Sequence, residues 1–117
     1  MELNEIKFTG QPPVDAYGPG FFRIAGQVVE GALMLTVDGV TQWAGLDDLQ
    51  PLIDIADKAD VVFIGMGADI APLPKAIAAK LEEARVPFEV MNSASACRTY
   101  NVLLSEERRV ALAVLPV

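Results

Sequence analysis

The chain has 117 residues, 52% of them hydrophobic, and a formal charge of −7; it is about one domain long and can bury roughly two-thirds of its unfolded surface without a disulfide or metal. Histidine is absent and Cys97 is the single cysteine, which removes the usual general base near neutral pH, the commonest zinc ligand and any intramolecular disulfide, and fits a reducing compartment. Residues 1–60 hold ten acidic and three basic residues and 61–117 six of each, a balance that repels nucleic-acid phosphates.

In chain order, the run Met1–Gly10 carries two acids where a targeting peptide is basic, and no apolar run approaches the ~20 residues that span a bilayer. These features predict a cytoplasmic protein with at most peripheral membrane contact. No repeat or low-complexity tract divides the chain, so residues 1–117 read as one domain. The segment Gln11–Gly20 reads as a loop, because Pro12, Pro13 and Pro19 fix φ and Gly18 and Gly20 permit tight reversals. Phe21–Val29 and Gly31–Val37 read as strands, and Asp38-Gly39 between two β-rich runs predicts a two-residue hairpin.

Asp47–Asp57 has the spacing of a helix capped by Asp47 or Asp48, with Pro51 in its first turn and Leu49, Leu52, Ile53 and Ile55 or Ala56 facing inward. Val61–Ile64 is a continuous apolar strand, followed by a glycine loop, a helix over Pro74–Ala84 and a strand over Pro87–Met91. A strand, crossover, strand unit makes those two strands parallel and explains why VVFI does not alternate. The last helix starts at Asn92 or Ser93 and ends near Glu107, with Ala96, Tyr100 and Leu103 as its inner stripe, flanked by Cys97 and Leu104. Arg98, Asn101 and Ser105 fall on another face, toward solvent or a partner. Val110–Val114 closes as a strand.

Parallel strands end at the same sheet edge, so the loop Gly65–Asp69 and the helix start Asn92–Ser95 meet there. Open α/β sheets bind ligands in crevices of this kind, and a helix N-terminus favours an anionic guest. The candidate binding residues are therefore Gly65, Gly67, Asp69, Ser93, Cys97, Arg98 and Asn101; no catalytic residue, metal ligand or cofactor is assigned. The plainer alternative is that both glycines only allow a tight exit from the strand. A dinucleotide fingerprint is excluded by the missing third glycine and a Walker loop by the absence of Gly-Lys-Ser/Thr. Cys97 is either a thiol activated by Arg98 and the helix start or a small core residue with no histidine to serve as its base. Arg98 is either an anion or partner contact or a partner for an acid such as Asp69. Trp43 reads as packing or as an anchor for another protein, Tyr100 as a core ring, and Glu106–Arg109 as a charged helix end.

Met91-Asn92-Ser93, the block Ala96-Cys97-Arg98-Thr99-Tyr100-Asn101-Val102-Leu103 and Glu107-Arg108-Arg109-Val110, with Gly65-Met66-Gly67 upstream, resemble the small-domain family of mitochondrial complex I assembly factor 3, of Mth938-like type. The likeness runs over nearly the whole chain, and the Ala-Cys-Arg-Thr-Tyr-Asn block is its specific part. The sequence departs at Met91-Asn92-Ser93, where many relatives carry Met-Asp-Thr, and at Met66, where a polar residue such as threonine is common. The resemblance implies an α/β fold: a single three-layer β/β/α domain with a mixed sheet, N-terminal β-hairpins and a C-terminal βαβαβ-like half. It also implies a non-enzymatic protein-binding module in complex I biogenesis. The partner would be a respiratory complex subunit or another assembly factor, with no nucleic acid and with homo-oligomer formation left open. The residues alone support a second reading, a small-molecule or anion-binding enzyme using Cys97 and Arg98.

Overall fold

Tight turns cut the early β-rich segment into more strands than its composition suggests. The computed structural model describes residues 11–117; the reading of the first ten residues as lacking a targeting peptide lies outside them. Val14–Gly18 forms strand β1 where a loop was expected, and Pro19-Gly20 turns it into β2, Phe21–Ile24. The expected single strand Phe21–Val29 breaks at Ala25-Gly26. Both turn residues adopt positive φ, 52° and 79°, which reverses the chain into β3, Gln27–Glu30, as a two-residue hairpin does. The three strands form an antiparallel sheet in the order β1-β2-β3.

β4, Leu33–Thr36, and β5, Gly39–Gln42, form the expected hairpin, one residue earlier than predicted. Thr36 pairs with Gly39, so the loop is Val37-Asp38. A type I′ Asp-Gly turn needs positive φ at both residues, whereas only Gly39 has it here, at 106°; Asp38 N–H instead donates to Thr36 Oγ1 at 3.1 Å.

The first helix is shorter than its periodicity. It spans Gln50–Asp54, α1, after a separate 3-10 turn at Gly45–Asp47. A helix starting at Asp47 would need the N–H of Pro51 for the Asp47 carbonyl, and proline has none. Asp48 is extended, with φ −129° and ψ 90°, and its carbonyl accepts the Trp43 indole N–H at 2.9 Å. Neither aspartate caps the helix; Leu49 stands at its start with no side-chain cap.

From residue 61 the elements alternate as expected: β6, Val61–Met66; α2, Lys75–Glu83; β7, Phe88–Met91; α3, Ser93–Ser105; and β8, Val110–Leu115. β6 is parallel to β7 and to β8, and β8 joins the two halves by pairing antiparallel with β4. The five-stranded order is β5-β4-β8-β6-β7. Because β7 and β8 flank β6 on opposite sides, right-handed crossovers require α2 and α3 to lie on opposite faces of the sheet.

The buried residues confirm that arrangement. Leu33, Leu35, Phe63, Val110, Leu112 and Val114 face a core shared with Phe22, Ile24 and Val29 of the small sheet and with Ala96, Cys97 and Tyr100 of α3. Their neighbours Met34, Val62, Ile64, Ala111 and Ala113 face the opposite core, with Trp43, Leu52, Ile55 and Leu81. The period-2 alternation therefore loads both sheet faces, and each large apolar side chain stabilises by about 1.5–3 kcal/mol on burial. The result is the expected α/β three-layer arrangement, with α3 sharing the outer layer with the small sheet. The radius of gyration, 13.1 Å, is that of a compact globule of this length. No helix among the described residues is long and apolar enough to cross a membrane.

Candidate functional site

The carboxyl ends of β6 and β7 lie side by side, and the connections that leave them run to α2 and α3 on opposite faces of the sheet, the place where doubly wound sheets take ligands. In this chain Ser93 occupies it. Its Oγ donates to the Leu115 carbonyl at 2.6 Å and accepts from Gly67 N–H at 2.9 Å, while its own N–H donates to the Gly67 carbonyl at 2.8 Å. A Cβ on Gly65 would lie 2.7 Å from Ser93 Oγ and 2.8 Å from Ser93 Cα, so only glycine lets α3 approach this closely. Gly67 has φ 93°, and Asn92 caps α3 by accepting Ser95 N–H on Oδ1 at 2.7 Å. Gly65, Gly67 and Ser93 thus come together as predicted, and all three are buried.

The specific block further along α3 faces a different part of the molecule. Tyr100 is fully buried; its hydroxyl donates to the Pro12 carbonyl at 2.7 Å and accepts from Gln11 Nε2 at 3.1 Å. Asn101, expected to face solvent or a partner, engages its own chain. Its Oδ1 accepts Val14 N–H and its Nδ2 donates to the Val14 carbonyl, both at 2.8 Å. The carboxamide completes the backbone pairing of β1 as a neighbouring strand would. Tyr100 and Asn101 therefore fasten residues 11–14 to α3.

Cys97, Arg98 and Asn101 line a groove of about 260 Å³ between α3 and β1, together with Ala94, Val102 and Val14–Tyr17. Gly65, Gly67 and Ser93 do not line it; nor does Asp69, which is exposed on the loop after β6. Cys97 is 3% exposed, and burial pushes its thiol from 9.0 up to about 12, the opposite of the activation a nucleophile needs. Burial likewise raises the Tyr100 hydroxyl, an effect partly opposed by the hydrogen bond from Gln11. Arg98 is exposed and, among the described residues, makes no ion pair, with Asp69 or any other acid. Trp43 is buried and packs beside α1 and α2.

Sequence reading missed Tyr17 and Val102, which are 45% and 51% exposed on the groove rim. Val102 carried a signal, an apolar residue outside the inner stripe of α3; Tyr17 lay in a segment read as loop. A second groove, about 430 Å³, runs between α1 and α2 along Leu49, Ile53 and Ile77.

Comparison with known proteins supports the expected relationship. An uncharacterised protein of Rhodobacter capsulatus is 50% identical over 117 residues, covering all of this chain and 94% of its own. Assembly factor 3 of the NADH dehydrogenase (ubiquinone) 1 alpha subcomplex of Danio rerio is 27% identical over 108 residues, covering 86% of this chain and 62% of that factor. A Mth938-like domain of Bordetella pertussis superimposes with a TM-score of 0.73 at 25% identity, over 99% of this chain and 92% of that one. With residues 14–115 matched by its model, this chain belongs to the family described as proteins of unknown function DUF498/DUF598.

Proposed function

We propose that the chain is a single-domain, non-enzymatic protein-binding module that assists assembly of a respiratory membrane complex, complex I, from the cytoplasmic side. Distant homology to the NADH dehydrogenase assembly factor carries this reading. The side-chain chemistry agrees with it: the specific block from Ala96 to Asn101 is spent on packing and on fastening β1, and presents Arg98 alone as an exposed charge. Gly65, Gly67 and Ser93 serve as the rigid base from which α3 presents that residue, and Asp69 flanks the base from the adjoining loop.

The partner is a subunit of the complex or a second assembly factor, engaged at the polar edge of α3. An enzyme built on Cys97 requires a thiolate, which burial disfavours. Deleting the gene and measuring assembled NADH:ubiquinone oxidoreductase on native gels tests the proposal. The expected result is a reduced amount, restored by the wild-type chain; an undiminished amount rejects the assembly role.

A further inference from the structure

Among the described residues, the groove between β1 and α3 combines an open strand edge, an apolar rim and one unpaired cation. β1 is, among the described residues, an edge strand bonded only to β2 within its sheet. Gly18 and Phe21 close the two-residue turn and form its hydrogen-bonded pair, so the next pair, Tyr17 and Phe22, does not exchange backbone bonds. The N–H and C=O of Tyr17 therefore point away from β2, toward the groove. Val14 points the same way, as its bonds to Asn101 show. The irregularity between Val14 and Ala16 supplies the extra residue that gives both positions this orientation. Asn101 occupies the edge at Val14, and no described residue occupies it at Tyr17.

The charges select the guest further. Among the described residues Arg98 is the single cation lining the groove, and the carboxylate there, Asp15, already accepts Gly26 N–H at 3.0 Å. With a net charge of −7, the molecule as a whole repels an acidic run and tolerates one well-placed carboxylate. At about 260 Å³ the groove falls below the ~300–1,000 Å³ usual for small-molecule sites, so it suits a side chain or two of a peptide.

We propose that this groove captures an extended segment of a partner protein, which adds as a short strand on β1 at Tyr17, inserts an apolar side chain between Tyr17 and Val102, and sets one carboxylate on Arg98. Strand addition supplies affinity through the main chain and lets flanking pockets choose side chains. This rests on the protein-binding reading above and specifies the partner's chemistry.

The test uses the whole chain, isotopically labelled, titrated with synthetic peptides of about eight residues, a common strand length. The peptides alternate valine with threonine and carry one central glutamate, or lysine in its place. The expected result is amide shifts confined to Val14–Gly18 and the Ala94–Val102 face, with the glutamate peptide binding about tenfold more tightly than the lysine peptide. Arg98→Glu should reverse that preference, and Val102→Asp should abolish binding while the rest of the spectrum stays unchanged. Equal binding of the two peptides, shifts on the α1–α2 groove instead, no shifts at millimolar peptide, or self-association through β1 in sedimentation would each overturn the proposal. A deletion strain short of complex I alongside failed peptide binding would remove this groove and leave the assembly role standing; charge-selective binding with normal complex I would do the reverse.

Discussion

Gly65 shows how tightly one residue can be constrained without touching a ligand. Its missing Cβ is the space that Ser93 and Val114 occupy. Gly65→Ala should cost about 2–3 kcal/mol, because the obstruction includes the backbone of a capped helix and no flexible side chain can give way; urea unfolding of the pair of proteins measures it. Cys97 makes the companion prediction in pH. An unfolded thiol begins to ionise near 9.0 while the folded one holds its proton to about 12. Above pH 9 the unfolded state therefore binds fewer protons, and stability falls as pH rises. The loss should approach about 1.4 kcal/mol per pH unit between these values and be absent below them. Tyr100 adds a loss of the same sign at still higher pH. Denaturation curves against pH should show a shallower alkaline decline for Cys97→Ala, and alkylation of the native thiol at neutral pH should be slow.

At the scale of elements, both long helices end the same way. In α2, Val86 N–H reaches the Leu81 carbonyl and Arg85 N–H the Glu82 carbonyl; in α3, Arg108 reaches Leu103 and Glu107 reaches Leu104. These are paired Schellman closures, and the residue that turns the chain has φ 60° at Arg85 and 62° at Glu107. An L side chain in that conformation costs roughly 1–2 kcal/mol, against about 0.5–1 kcal/mol of extra backbone entropy that glycine loses on folding. Arg85→Gly and Glu107→Gly should each stabilise by about 0.5–1 kcal/mol, visible as a rise of a few degrees in Tm. Neither position carries the glycine that normally signals this closure, yet the sequence placed the ends at Ala84 and near Glu107, within two residues of the last helical positions Glu83 and Ser105. Pro51 acted oppositely: it marked the first turn of α1 correctly, and its missing N–H also cut the helix short of the span its apolar spacing suggested.

For the whole molecule, the five-stranded sheet is the shared wall of two cores, so neither face can open without exposing the strands that support the other. Trp43 reports on the α1–α2 side and Tyr100 on the α3 side. Unfolding followed by tryptophan fluorescence and by tyrosine near-ultraviolet circular dichroism should give coincident transitions; two separated midpoints would show that the faces unfold independently. The sequence by itself determined the element types after residue 60, the parallel pairing of β6 with β7, the inner stripe of α3 and its cap as either Asn92 or Ser93. Those are local properties, written in hydrophobic period, capping chemistry and the short connections of a crossover unit. Only the tertiary structure decided that β8 lies at the centre of the sheet between β4 and β6, that Ser93 fills the strand-end crevice, and that Asn101 turns from solvent to fasten β1. Each depends on residues distant in the chain: an unbroken apolar strand is equally stable in several sheet positions, and a carboxamide on a helix shows no partner until the fold brings Val14 beside it.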